Sequence, residues 1–170
     1  MRRGDFGNCD DDLGQGAALM ADKLQFELVS PERLLLSEPV GLVVVPGTEG
    51  NFGVLPGHAL LIAAVRPGVI EVYGNGLPTV TDRIFVAGGF AEVTPERCTV
   101  LADEAMPFST LDRARIEGEA READAAIAAL RDQSARLQGA ERDDSIRALA
   151  AAERRRAVTQ AKLDALAVVH

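Results

Sequence analysis

Between residues 24 and 103, short apolar segments alternate with turns that contain glycine or proline. Leu24, Phe26 and Leu28 are separated by polar residues, so one side of this segment should be buried and the other solvated. Many short segments of this kind predict an all-β sandwich or barrel. The predicted strands cover residues 24–28, 40–45, 60–65, 69–73, 79–86, 90–93 and 98–102.

The spacing of these strands also predicts how they pair. Turn signals such as Pro-Gly at residues 67–68 and Gly-Gly at residues 88–89 separate them. Parallel strands need long crossover connections, so closely spaced strands of this kind are typical of antiparallel packing. We therefore expect an antiparallel sandwich that ends near Pro107.

After Pro107 the apolar positions recur at steps of three, four or seven, as in an amphipathic helix. Ser109 is a candidate N-cap, Asp112 follows near the positive end of the helix dipole, and no proline interrupts the remaining chain. We therefore predict helix from residue 110 onward. The predicted buried stripe of this helix contains Ile116, Ala120, Ala123, Ile127, Leu130 and Leu137.

A break in the helical pattern is predicted between residues 138 and 145. Gly139 can end one helix, and the pair Asp143-Asp144 can cap the next, which would begin at about Ile146. The apolar positions of this second helix are Ile146, Leu149, Ala150, Ala157, Ala161, Leu163 and Leu166. Because alanine offers little area to bury, the helical hairpin should be marginally stable and mobile.

The charge of the chain limits its partners. It has 18 basic and 26 acidic residues and a net charge of −8. This charge repels phosphate backbones and anionic lipid headgroups, so nucleic acid is not an expected partner. The three arginines at residues 154–156 form a short run without interleaved aromatic residues. They indicate a protein partner or simple solvation of a helix face.

Cysteine content and hydropathy limit the compartment of the protein and its relation to the membrane. The two cysteines, Cys9 and Cys98, do not form a disulfide framework or a metal cluster and indicate a reducing compartment. The longest wholly apolar run, residues 59–65, is too short to cross a membrane, and the N-terminal segment lacks the apolar stretch of a secretory signal. The predicted units are a disordered extension at residues 1–21, a β-sandwich domain at 22–107 and an antiparallel α-helical hairpin at 108–170.

One stretch of the β region carries a family signature. Residues 50–59 read Gly-Asn-Phe-Gly-Val-Leu-Pro-Gly-His-Ala, and Arg-Pro-Gly follows at 66–68. This run resembles the signature of the epsilon subunit of F-type ATP synthases. Segments 27–32, 87–93 and 100–103 are also similar to that family.

The resemblance implies a non-catalytic subunit of the central rotor stalk, which couples proton flow to ATP synthesis. In that family the β-sandwich binds the gamma subunit and the polar loops of the membrane c-ring. The hairpin can extend toward the alpha and beta subunits and inhibit ATP hydrolysis. The resemblance also implies a position at the cytoplasmic face of the bacterial inner membrane, peripheral to it through the complex. No residue is expected to perform chemistry or to bind a metal.

The resemblance assigns Glu49, Asn51 and His58 to the interface with the c-ring or gamma. Many relatives have an acidic residue at the position of Asn51 and a proline at that of Leu60, so the detailed contacts differ here. For His58 the alternative is a turn histidine bonded to the neighbouring backbone.

Residues 111–116 resemble an ATP-binding motif of some family members. The resemblance assigns Asp112 and Arg115 to the nucleotide, together with Arg156 on the second helix. Arginine forks suit phosphate oxygens. Ile116 stands where alanine is usual and Gln160 where a further arginine is expected, so the implied ATP site is weak and no cofactor is required. The alternative is a solvated set of charges on an amphipathic hairpin.

Two other function classes remain open at this point. A stand-alone ATP-sensing module would use the same hairpin without a gamma subunit. A hydrolase would need a nucleophile, a base and an orienting group in one pocket, and His58 and His170 are the two histidines that could serve as the base.

Overall fold

The computed structural model describes residues 23–74 and 78–168; the predicted extension at 1–21 lies outside them. Within these residues there are ten strands, a 3₁₀ turn at Phe108–Thr110 and two α-helices. The strands are β1 Leu24–Val29, β2 Leu34–Val40, β3 Leu42–Gly47, β4 Gly50–Val54, β5 Leu61–Val65, β6 Gly68–Tyr73, β7 Val80–Val86, β8 Gly89–Val93, β9 Arg97–Ala102 and β10 Ala105–Pro107. The helices are α1 Arg113–Arg136 and α2 Ala140–Val168.

The strands form one sheet that curls into a sandwich. Its order is β10-β7-β6-β3-β5-β8-β9-β1-β2, and β4 pairs with β3. The two halves join where Gly47 of β3 pairs with Val65 of β5. The predicted fold class, a β-sandwich followed by a helical hairpin, is confirmed.

The core lies between the two halves and follows the predicted alternation. Leu24, Phe26 and Leu28 are at most 1% exposed. They pack in one cluster with residues from the other strands of the sandwich. Burying aliphatic and aromatic side chains from water is the main force that holds such a sandwich closed.

Three strands were not predicted, namely β2, β4 and β10. The β2 sequence contains Pro39, which cannot donate to a ladder but is tolerated because β2 is at the edge of the sheet. The β4 sequence, Gly-Asn-Phe-Gly-Val, has two glycines and lacks the usual composition of a strand. Tertiary pairing with β3 therefore overrides local preference.

The prediction of purely antiparallel pairing was wrong for one pair of strands. β1 and β9 are parallel, with Phe26 opposite Cys98 and Leu28 opposite Val100. These strands are far apart in sequence, and the strands between them provide the long crossover that parallel pairing requires.

The first helix begins later than predicted. Its N-cap is Asp112, whose Oδ1 accepts a hydrogen bond from the backbone N–H of Arg115 at 2.9 Å. The predicted cap, Ser109, lies in the 3₁₀ turn instead. Aspartate at this position satisfies an amide group that has no partner within the helix. Four of the six predicted stripe residues are buried, namely Ile116, Ala120, Ala123 and Ile127. Leu130 is half-buried, and Leu137 lies just past the end of the helix.

The second helix was predicted with the wrong start, and its predicted apolar positions lie only in part on the face that packs. It begins at Ala140 after Gly139, whose φ is 62°, so Asp143 lies within the first turn and does not cap the helix. Ile146 is 47% exposed, whereas Ser145 and Thr159 are buried. An alanine-rich helix has no strong apolar stripe, so sequence alone could not fix which face packs.

The two helices form an antiparallel pair. Arg131 of α1 contacts Glu153 of α2, and Asp124 of α1 contacts Arg156 of α2, so the contacts run in opposite directions along the two helices. Within residues 23–74 and 78–168, neither helix combines the length and apolar character needed to cross a membrane.

Candidate functional site

The outer surface of the sandwich carries a continuous row of apolar side chains across five strands. Ala64 of β5 is opposite Phe90 of β8, and Phe90 is opposite Leu101 of β9. Leu101 is opposite Val29 of β1, and Val29 is opposite Leu34 of β2. We call these five residues the outer row. Phe90 is 60% exposed, Leu101 52% and Leu34 56%.

The outer row arises from alternation along the strands. Ala91 and Val100 face the core, so their neighbours Phe90 and Leu101 face outward. Ile62 of β5, which is 76% exposed, adds to the same surface. Soluble monomers rarely expose large contiguous apolar patches, and such patches often mark protein interaction sites. The sequence carried this signal, because Phe90 and Leu101 are apolar at the outward positions of their strands.

The predicted interface residues Glu49, Asn51 and His58 do not form one cluster. Glu49 lies exposed in the turn between β3 and β4, and Asn51 follows on β4. The Asn51 side-chain oxygen accepts a hydrogen bond from Arg66 Nη2 at 2.8 Å. This bond fixes β4 to the segment that follows β5. Glu49 and Asn51 therefore belong to one structural unit, the β3–β4 hairpin.

His58 lies beyond the other end of β4. The five residues of β4 lead away from the β3–β4 turn by about 16 Å, at about 3.3 Å per residue. The backbone N–H of Gly57 donates to the Pro95 carbonyl at 2.7 Å, in the connection between β8 and β9. His58 Nδ1 lies 2.8 Å from the carbonyl oxygen of Ala59, which is the backbone contact of the turn-histidine alternative.

The three residues predicted to contact ATP are also divided. Asp112 caps α1 and is bonded to the backbone of Arg115, whose guanidinium lies 3.6 Å from Glu119. Arg156 pairs with Asp124 at 2.7 Å. Asp124 is nine residues beyond Arg115, which is about 13 Å along the helix at about 1.5 Å per residue. The structure thus brings Asp112 and Arg115 together and holds Arg156 at another level of the hairpin.

The titratable groups with shifted pKa values lie in the sandwich. Burial raises the pKa of the Cys98 thiol from 9.0 to about 12, so the thiol stays protonated and unreactive near neutral pH. Desolvation, followed by the hydrogen bond to Glu71, raises the pKa of Tyr73. Tyr73 Oη donates to Glu71, which also pairs with Arg83. Neither group has the lowered pKa of an activated nucleophile.

Comparison with known proteins bears on both parts of the fold. The family model described as "ATP synthase, Delta/Epsilon chain, beta-sandwich domain" matches residues 23–108, which contain all ten strands. A protein of Rhodospirillum centenum named ATP synthase epsilon chain is 56% identical over 151 residues, covering 87% of this chain and 94% of its own length. The chain belongs to the ATP synthase epsilon-chain family.

Other relatives extend this result beyond the sandwich. The epsilon chain of Rhodospirillum rubrum is 50% identical over 135 residues, 79% of this chain and 99% of its own. A chain in the cryo-EM structure of the Euglena gracilis mitochondrial ATP synthase (OSCP, F1 and c-ring) has a TM-score of 0.61 and 25% identity, and the match covers 95% of this chain and 91% of that one. Membership of the epsilon family makes the chain a structural or regulatory subunit and not a catalytic one.

Proposed function

We propose that this epsilon-family chain is part of the central rotor stalk of an F-type ATP synthase, where it helps to couple proton flow to ATP synthesis. The observation that carries the proposal is the outer row on an otherwise ordinary sandwich. A subunit without chemistry of its own acts through its contacts, and the outer row is an exposed apolar surface that it offers to a partner.

The gamma subunit is the partner assigned to the outer row. Phe90 lies between Ala64 and Leu101, so a partner that covers it also covers its neighbours. Exposed aromatic side chains near the centre of an interface typically contribute most to binding. His58 is two residues from Leu60, which is 77% exposed, so we assign His58 to the margin of the gamma interface.

The β3–β4 hairpin is assigned to the c-ring. Its turn presents the Glu49 carboxylate, and the Arg66–Asn51 hydrogen bond ties β4 to the segment that follows β5. Polar loops of a membrane ring are chemically suited to such an exposed, charged turn. In this arrangement the chain would lie at the cytoplasmic face of the bacterial inner membrane, held there by the complex.

The helical hairpin is assigned to regulation through the alpha and beta subunits. Arg154 and Arg155 are exposed on α2, and neither forms an ion pair within residues 23–74 and 78–168. Unpaired arginines on an exposed helix can orient contact with acidic segments of a partner. Asp112 and Arg115 give at most a weak nucleotide site, because Arg156 lies elsewhere and is already paired.

A pull-down tests the assembly. The chain, tagged at its N-terminus, is recovered from membranes of its own source, and the co-purifying proteins are identified by mass. We expect the alpha, beta and gamma subunits. Recovery of the chain alone from membranes that hydrolyse ATP, together with saturable Mg-ATP binding that is lost in Arg115→Ala, would instead support a stand-alone ATP sensor.

A chain cut after Pro107 tests the regulatory role of the hairpin. Complexes that carry the cut chain should couple proton flow but hydrolyse ATP faster than complexes with the full chain, because the inhibitory contact is gone. Unchanged hydrolysis in complexes that have incorporated the cut chain would remove the regulatory part of the proposal and leave the stalk assignment intact.

A further inference from the structure

Phe85 of β7 faces away from the core of the sandwich and is nevertheless buried. Its neighbours Ile84 and Val86 pack against the core, so alternation directs Phe85 to the outer face of the sheet. The outer face of an antiparallel sandwich is normally solvated. Phe85 is 0% exposed, so another part of the molecule covers it.

The cover over Phe85 is the second helix. Val69 of β6 and Met106 of β10 are the cross-strand neighbours of Phe85 and share its outward face. We call these three residues the hairpin seat. Ala161 and Ala165 of α2 line a cavity of about 320 Å³ together with Val69. The helix therefore lies over the seat with small side chains that leave part of the space unfilled.

Lys162 makes the most specific contact between the helix and the seat. Its Nζ lies 5.6 Å from the centre of the Phe85 ring and 3.7 Å from Glu104 Oε1, in the connection between β9 and β10. The Lys162 side chain is only 12% exposed. Its aliphatic stem covers apolar surface while the ammonium group meets both an aromatic face and a carboxylate.

The Lys162–Glu104 pair connects two parts of the fold, unlike the other ion pairs of the described residues. Two of those pairs lie within the sandwich, and four lie within the hairpin. Within residues 23–74 and 78–168, Lys162–Glu104 is the one ion pair that joins the hairpin to the sandwich.

We propose that Lys162 is the latch that holds the hairpin docked on the sandwich, with Phe85 and Glu104 as its two receiving groups. This inference rests on the proposed function because it assumes that the position of the hairpin is regulated. The latch names the side chain that controls that position. Release of Lys162 would expose the Phe85 ring to water. Loss of one charged contact would therefore be accompanied by exposure of an apolar surface. The docked state is therefore sensitive to a single side chain.

Pulsed electron spin resonance on the isolated full chain tests the latch. Spin labels are placed at Asp82→Cys on β7 and Ala167→Cys on α2, both exposed positions, in a Cys9→Ser background in which Cys98 stays buried. The parent should give one narrow, short distance. Lys162→Glu places a negative charge beside Glu104 and should raise the ratio of undocked to docked hairpin about tenfold, shown as a longer and broader distance.

The chain offers matched controls. Lys23 is its other lysine and lies exposed before β1, so Lys23→Glu has the same charge change and should keep the parent distance. The exchange of Glu104→Lys with Lys162→Glu should restore docking in part, because it regains the ion pair but not the cation–π contact with Phe85. Lys162→Met keeps an apolar stem without the charge and should also raise the undocked ratio.

Parent-like distances in both Lys162→Glu and Lys162→Met would overturn the latch. Gamma binding by the same variants reports separately on the sandwich. Variants that bind gamma but do not undock refute the latch alone, whereas a parent chain that fails to bind gamma refutes the stalk assignment.

Discussion

Arg156 Nε lies 2.7 Å from Asp124 Oδ1, and this ion pair joins the two helices of the hairpin. Arg156 also donates to Gln160 on its own helix at 2.9 Å. The guanidinium is thus occupied on two sides, and its side chain is 27% exposed. The residue that the resemblance assigns to a nucleotide has a structural role in the docked hairpin.

Arg156→Ala should loosen the hairpin without affecting the sandwich. Loss of a partly exposed ion pair costs about 0.5–1 kcal/mol, so amides of α1 and α2 should exchange with solvent faster while those of the strands are unchanged. Hydrogen exchange by mass spectrometry measures this. Arg154→Ala removes a neighbouring arginine that has no ion pair within the described residues, and an equal effect there would contradict the assignment.

The isolated chain should bind Mg-ATP weakly. Arg115 and Arg156 lie at levels about 13 Å apart along the hairpin, and each guanidinium is already paired with a carboxylate. Nucleotide would have to compete with these ion pairs, so a dissociation constant above about 1 mM is expected. Isothermal titration calorimetry measures the affinity. Tight binding that Arg115→Ala and Arg156→Ala both abolish would show that the hairpin rearranges around nucleotide.

The Cys98 thiol should be unreactive in the folded chain. In a Cys9→Ser background, a disulfide reagent should modify it only after unfolding in guanidinium, since it is 0% exposed. Burial raises its pKa from 9.0 to about 12, so the folded state binds the thiol proton more tightly than the unfolded state does. The contribution of Cys98 to stability is complete below pH 9 and falls as pH rises toward 12. Rapid modification of the native protein would contradict this burial.

Two glycines should respond in opposite directions to alanine. Gly89 has a φ of +135°, and a Cβ there would collide with the backbone carbonyl of Leu101. Gly89→Ala should therefore cost about 3 kcal/mol in urea unfolding. Gly118 lies in α1 with open space around a Cβ, so Gly118→Ala should stabilise the hairpin by about 0.5–1 kcal/mol. Equal effects at the two positions would contradict the described backbone.

The sequence predicted the elements in which apolar and polar side chains alternate strongly. It did not predict those whose packing depends on contacts with other elements. Leu24, Phe26 and Leu28 gave β1 directly, because their apolar period matches the pleat. The β4 strand, with its two glycines, depends on pairing with β3, which local composition does not reveal. The packed face of α2 was predicted only in part, because alanine is compatible with either face.

The candidate site shows the same division. The resemblance assigned Glu49, Asn51 and His58 to one interface, but the proximity of His58 to the other two in sequence did not translate into proximity in space. Nothing in the sequence indicated that Phe85 is covered or that Lys162 contacts it. Alternation shows only that Phe85 points to the opposite side of the sheet from Ile84 and Val86. Which outward-facing strand residues a helix buries is decided by tertiary packing.

The most direct test of the account is the affinity of the full chain for the gamma subunit of its own source, measured for the parent and for Phe90→Asp. A charge at the centre of the outer row should weaken binding at least about 100-fold, as for a central interface residue. Ile146→Asp, on an exposed apolar residue of α2, should bind as the parent does. If folded Phe90→Asp binds gamma with parental affinity, the outer row is not the docking surface and the central claim is wrong.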